Sequence, residues 1–193
     1  MTWSFFRKIP LRQVGSVLLL IDWDNFRSTL QKQFGIGKVR LDQRIGRTLN
    51  WVKGELGELL AGHGFVFAPE HLNELFRKMC AKNNLRTVTC PKRDTPDRNG
   101  SFDSVDETLI WFGKMMLAHP DVKCLCIISG DKHYIPLMEA AKKQGVSVAF
   151  AVPSRSCFSE TPEIIKKIIG LISINPKTGK KMYVELDTLD LAG

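Results

Sequence analysis

Three short stretches of this sequence gather oxygen-bearing side chains: Ile21-Asp22-Trp23-Asp24-Asn25, Asp103-Ser104-Val105-Asp106-Glu107 and Ser129-Gly130-Asp131-Lys132-His133-Tyr134. Carboxylates crowded together repel one another, and keeping them ionised needs a compensating cation. Oxygen-rich sites suit Mg²⁺ or Mn²⁺, which retain waters and share ligands with a substrate phosphate. Such an ion stabilises charge on a phosphodiester and supplies a hydroxide-like nucleophile. Asp22, Asp106 and Asp131 are therefore the candidate ligands. Each stretch also has a structural explanation. Asp22 and Asn25 favour turns, Asp103, Asp106 and Glu107 suit a helix N-terminus, and Ser129-Gly130-Asp131 suits a strand-to-helix cap.

What would bring them together is the order of elements. Residues 15–21 form a continuous apolar run, as expected of a strand buried on both faces. A loop through Gly35 and Gly37 leads to a helix over about 42–61, where Ile45, Leu49, Val52, Leu56, Leu59 and Leu60 recur at helical spacing. Further strands are predicted over 65–68, 85–90, 122–128 and 146–152. Helices are predicted over 69–83, 102–118, 134–144 (ended by Gly145) and 161–169. Pro91 to Gly100 reads as an exposed loop, and 171–174 with 182–186 as a β-hairpin.

Strands alternating with helices imply right-handed crossovers and a mainly parallel sheet covered on both faces. Such sheets place their crevice beyond the carboxyl ends of the strands, where strand order reverses. The first and fourth strands end in Asp22 and Asp131, and the helix of Asp106 begins at the same rim. All three stretches at one edge favour a site over three unrelated caps.

Charge points the same way. The 193 residues carry a formal charge of +8. Arg27 to Lys53 holds seven basic residues and one acid, Arg77 to Arg98 seven and two, and Ile164 to Val184 five lysines and none. A basic surface suits a polyanion, because each neutralised phosphate releases counterions. It is equally a soluble exterior. No apolar run approaches the roughly 20 residues of a membrane span. The basic, aromatic stretch Met1 to Val14 has no secretory h-region. Five cysteines, an odd number without CxxC spacing, read as buried thiols in a reducing compartment, the cytoplasm. A zinc site from His63, His71, Cys80 and Cys90 matches no short-knuckle spacing.

Over about Val14 to Ile169 the chain resembles the NYN domain family, a branch of the PIN-like nucleases that includes the LabA-like proteins. The resemblance rests on residues 20–25, on 104–109 and on 128–137 running into Ala140-Ala141-Lys142-Lys143-Gln144-Gly145-Val146. It implies a PIN-like, three-layer α/β/α fold and metal-dependent cleavage of RNA. Asp22, Asp106 and Asp131 would hold the ion, Asn25 would orient a ligand or water, and Ser129 would support the site by a hydrogen bond. The family often has Ser-Gly-Asp-x-Asp-Phe, whereas this chain has His133 and Tyr134. Many members carry a further aspartate where this chain has Phe112-Gly113. His133 ligates metals through neutral imidazole but favours Mn²⁺ or Zn²⁺ over Mg²⁺. Asp103 or Asp24 would make up charge.

RNA is gripped by basic residues interleaved with aromatics. Trp23 is a candidate for stacking a base, and Lys92, Arg93, Arg98 and Lys132 for phosphate contacts, with lysines 177, 180 and 181 behind them. The expected organisation is an extension over 1–13, a domain over 14–170 and a hairpin extension over 171–193. Either extension offers a place for a second copy or another protein to dock. The expected function is RNA cleavage. The alternatives are a degenerate RNA-binding or assembly module and, less in keeping with the basic surface, a small-molecule hydrolase.

Overall fold

A computed structural model describes residues 16–35, 40–69, 74–90, 104–153 and 161–190. The loop 91–100, Asp103, Lys92, Arg93, Arg98, His71, Cys157 and the N-terminal extension lie outside the described residues.

Six strands form one parallel sheet: β1 Val17–Asp22, β2 Gly64–Pro69, β3 Leu85–Cys90, β4 Cys124–Ile128, β5 Ser147–Val152 and β6 Tyr183–Glu185. Their spatial order is β3-β2-β1-β4-β5-β6. The helices are α1 Trp23–Phe34, α2 Leu41–Trp51, α3 Glu74–Lys82, α4 Ser104–Leu117, α5 Ile135–Lys143 and α6 Pro162–Leu171. This is the three-layer α/β/α architecture. Every residue of β1 and β4 is buried, as their apolar runs, Val17–Ile21 and Cys124–Ile128, require of central strands. Chain order runs outward from β1 on one side and from β4 on the other, so the switch point lies between these two strands.

Three elements differ from expectation. The stretch after β1 is helix α1, which buries Trp23, Phe26 and Leu30 at helical spacing. The expected helix over 42–61 is shorter. After α2 it widens into a π-helical turn, Val52–Leu56, and stops at Gly57, where φ is 124°. Leu59 then bridges to Val17 at the start of the sheet. The C-terminal hairpin contracts to one antiparallel bridge, Ile174 to Lys181, and its second arm continues as β6 along β5. The C-terminal segment therefore belongs to the central sheet. No described helix is long and apolar enough to cross a membrane.

Gly113 fixes how α4 sits. A Cβ there would lie 2.6 Å from Leu137 Cδ2 of α5 and 3.1 Å from Leu20 Cδ1 of β1. Phe112 beside it packs on Phe65 and Phe67 of β2, with ring centroids 4.8 and 5.4 Å apart. Leu20 and Asp22, two residues apart on a strand, share one face. Asp22 therefore points toward the helix whose first turn carries Asp106.

Candidate metal centre

Asp22 ends β1 and caps α1, accepting the Asn25 backbone N–H on Oδ1 at 3.1 Å. Its other oxygen, Oδ2, accepts the hydroxyls of Ser129 at 3.1 Å and Tyr134 at 2.9 Å. The cap and the site are thus the same residue, since a carboxylate has oxygens enough for both. Across the switch point, Asn25 Oδ1 accepts the Gly130 N–H at 2.7 Å and ties the two strand-end loops together. Ser129 Oγ also accepts the Asp131 N–H at 3.2 Å. These bonds place Asp131 at the head of a 3₁₀ turn, Lys132–Tyr134, where its Oδ1 accepts the His133 N–H at 3.0 Å.

His133 Nδ1 lies 3.0 Å from Asp106 Oδ2 and 3.2 Å from Asp131 Oδ1. Asp106, Asp131 and His133 each offer a ligand atom, all within 4.8 Å of one another, and together could hold a metal ion. Among the described residues no other such group occurs. Asp106 is nearly buried on the inner side of α4, whereas the Asp131 and His133 side chains remain 29% and 24% exposed, so the group opens to solvent on one side.

Asp22 is not in that group, whose third member is His133. Both Asp22 oxygens are engaged by hydrogen-bond donors, and the residue is 5% exposed. Burial pushes its pKa from 3.8 up to about 7, against the lowering effect of the Asn25, Tyr134 and Ser129 hydrogen bonds, and the nearby negative Asp106 raises it further. Burial, then the charges of Asp22 and Asp106, also drives the Tyr134 hydroxyl well above its usual range, so it remains a donor.

One expected site residue is corrected. Trp23 cannot stack a base: it is 3% exposed, with its ring against Phe26 and Phe76 at centroid distances of 5.9 and 4.4 Å. Asp24 pairs with Arg27 along α1 at 3.7 Å and adds no ligand to the group. Lys132 is exposed beside the group. Lys181, by contrast, caps α6 through the carbonyls of Ile172 and Ile169 at 2.8 and 3.2 Å. Cys80 and Cys90 of the imagined zinc site are buried, and neither forms a disulfide. Tyr134 was missed as a site residue. Its signal was a phenol in a turn that otherwise supplies only an aromatic ring, because a buried hydroxyl requires a partner.

No family model matches the chain, and no curated protein does. A solved structure of a protein of unknown function from Vibrio parahaemolyticus is similar, with a TM-score of 0.58 and 14% identity over 81% of this chain and 90% of that one. At that identity the likeness shows the fold alone. A second, described as a PLP-bound aminotransferase from Clostridium difficile, has a TM-score of 0.24 and 13% identity over 75% of this chain and 46% of that one. That score carries no argument.

Proposed function

We propose that the chain is a metal-dependent ribonuclease of the NYN type, acting in the cytoplasm. The observation that carries this reading is the convergence of Asp106, Asp131 and His133 ligand atoms within 4.8 Å at the switch-point crevice, in a chain of formal charge +8. The donor set fits a cation, because Asp22 and Asp106 are buried near each other and a cation between the two strand ends would offset their mutual repulsion. A bound divalent ion would supply a hydroxide-like nucleophile and stabilise charge on the scissile phosphate. Asp106 and Asp131 are the proposed carboxylate ligands. The imidazole nitrogen makes Mn²⁺ a better occupant than Mg²⁺. Asp22 adds negative charge behind the ligands, held in one orientation by Ser129 and Tyr134. Asn25 locks the two loops together, and Lys132 offers an ammonium to the RNA backbone.

Purified protein incubated with labelled RNA and Mn²⁺ tests this directly. Cleavage that EDTA stops and Asp131→Asn abolishes is the expected result. Unchanged cleavage by Asp131→Asn protein would reject the assignment.

A second reading, an RNA-binding or assembly module without chemistry, is favoured by one observation. Phe112 and Gly113, which stand where NYN domains often carry a further aspartate, are committed to packing against β2, β1 and α5. A site with fewer carboxylates holds a divalent ion less tightly. Salt-sensitive RNA binding without EDTA-sensitive cleavage would select this reading.

A further inference from the structure

At the β6 edge of the sheet, a cavity of about 290 Å³ opens between α2 with its π-helical turn and the C-terminal segment. Ligand pockets begin at roughly 300 Å³, so a single small organic molecule fills it. Trp51 and Tyr183, both half-buried, give it aromatic walls, and Val184 adds apolar surface. Two charged residues, Glu55 and Lys180, line it as well.

The turn beside the cavity is built around Asn175, which is 3% exposed. Its Nδ2 donates to the Glu55 carbonyl at 2.8 Å, and its backbone N–H to the Lys180 carbonyl at 2.7 Å. Its Oδ1 accepts the Lys177 N–H at 2.8 Å and its carbonyl the Gly179 N–H at 2.8 Å, which closes the turn. One buried amide thus ties residue 55 to residue 180, yet their side chains do not pair. Among the described residues, neither the Glu55 carboxylate nor the Lys180 ammonium has a hydrogen-bond or ion-pair partner, and both residues are exposed.

We propose that this cavity is a nucleotide site for a guanosine monophosphate unit, free or at the end of an RNA chain. The base lies against Trp51 and Tyr183, its edge on Glu55 and its phosphate on Lys180.

Each group selects a different part of the ligand. Aromatic walls take a flat ring, and base–aromatic stacking tolerates any base. The carboxylate chooses among the bases. Guanine presents two adjacent N–H donors, at N1 and the exocyclic N2, which a carboxylate accepts in parallel. Adenine and cytosine set one donor beside a ring acceptor, and uracil sets one between two carbonyls, so each turns a lone pair toward the carboxylate. The ammonium is a point charge for phosphate, in a turn that also carries Lys177. A wholly apolar ligand would leave both charges unused. The cavity lies two strands from β4 and needs no metal, so the inference does not rest on the ribonuclease reading.

Calorimetric titration of the full chain with 5′-GMP, 5′-AMP and guanosine, in EDTA and low salt, tests it. GMP is expected to bind roughly tenfold tighter than AMP and roughly threefold tighter than guanosine. Lys180→Ala should lower GMP affinity to the guanosine value. Glu55→Gln should remove the preference over AMP, because an amide accepts one bond, donates another and suits adenine as well. Both side chains are exposed, so neither change threatens the fold. An oligoribonucleotide with a 5′-phosphorylated guanosine that binds tighter than GMP, with the same two dependences, assigns the site to an RNA end. GMP binding as tightly or tighter assigns it to the free nucleotide. No measurable GMP binding, GMP and AMP binding alike, or an affinity unmoved by the two variants would overturn the proposal. So would an affinity lost in Asp131→Asn, which would place the nucleotide at the metal group. EDTA-sensitive RNA cleavage is read separately and stands or falls without this site.

Discussion

The Tyr134 hydroxyl donates to Oδ2 of Asp22 at 2.9 Å from a ring that is fully buried. This bond joins the turn after β4 to the end of β1, and it stabilises the charged form of an acid that burial would otherwise neutralise. Tyr134→Phe removes the donor and leaves Asp22 Oδ2 with Ser129 alone. The expected loss of stability is about 1–3 kcal/mol, larger at pH 8 than at pH 5 because only the ionised carboxylate needs the bond. Urea unfolding at the two pH values measures it. An equal loss at both would show that the phenol serves packing and not Asp22.

The pKa of Asp22 sets a pH dependence whose sign runs opposite to that of most carboxylates. Its folded pKa of about 7 exceeds the unfolded value of 3.8, so between these values the folded state holds a proton that the unfolded state has released. Stability is fully present below the unfolded pKa and falls as pH rises through 7, by an amount on the order of 4 kcal/mol without a cation. Asp22→Asn keeps an oxygen for the Asn25 N–H and removes the charge. It should unfold at a similar urea concentration to wild type near pH 4 and at a clearly higher one near pH 8. Mn²⁺ at pH 8 should close that gap by stabilising wild type. Parallel pH profiles of the two proteins would remove Asp22 as the source.

Asp131 is partly exposed and caps only a short turn, so its role is separable from folding. Asp131→Asn retains an oxygen for the His133 N–H and should shift the melting temperature by no more than a few degrees. Its Mn²⁺ affinity, read by electron paramagnetic resonance of the free ion, should fall at least tenfold, and RNA cleavage at least a hundredfold. Retained Mn²⁺ affinity would show that the ion binds elsewhere.

His133 brings the only nitrogen to an otherwise oxygen ligand set. His133→Asp supplies a third carboxylate in the same turn and should move the preference from Mn²⁺ toward Mg²⁺. Competition of Mg²⁺ against bound Mn²⁺ reads this without any RNA present. Unaltered competition would place the imidazole outside the coordination sphere.

The parallel sheet and the edge holding the acids were legible because β1 is apolar up to its last residue, Asp22, and β4 is apolar throughout with Asp131 three residues beyond its end. A buried strand and a helix stripe leave strong periodic marks. Helix α1 was overlooked because Asp24, Asn25, Arg27 and Ser28 between its buried residues suit a loop equally well. The hairpin was misjudged for a different reason. Tyr183, Val184 and Glu185 are strand formers in isolation, but only the distant β5 decides that they pair with it in parallel. The hydrogen bonding of Asp22 was likewise hidden. Spacing gives the rim on which Asp22 stands, but not that Ser129 and Tyr134 occupy its oxygen.

Gly113 offers the sharpest test of whether packing excludes an acid from the middle of α4. The space a Cβ would need is taken by Leu137 and Leu20. Gly113→Ala gains helix propensity of about 1 kcal/mol, yet overpacking a tight core contact costs about 1–3 kcal/mol. The net expectation is a mild loss of stability. Gly113→Asp adds a buried charge at the same crowded point and should destabilise by at least 3 kcal/mol, like other unpaired charges forced into an interior. Pairing Gly113→Asp with Leu137→Ala opens the space and should recover part of the loss, an interaction that a double-mutant cycle in urea measures. Strictly additive losses would mean that α4 has room to move away from α5, and that packing does not exclude an aspartate there.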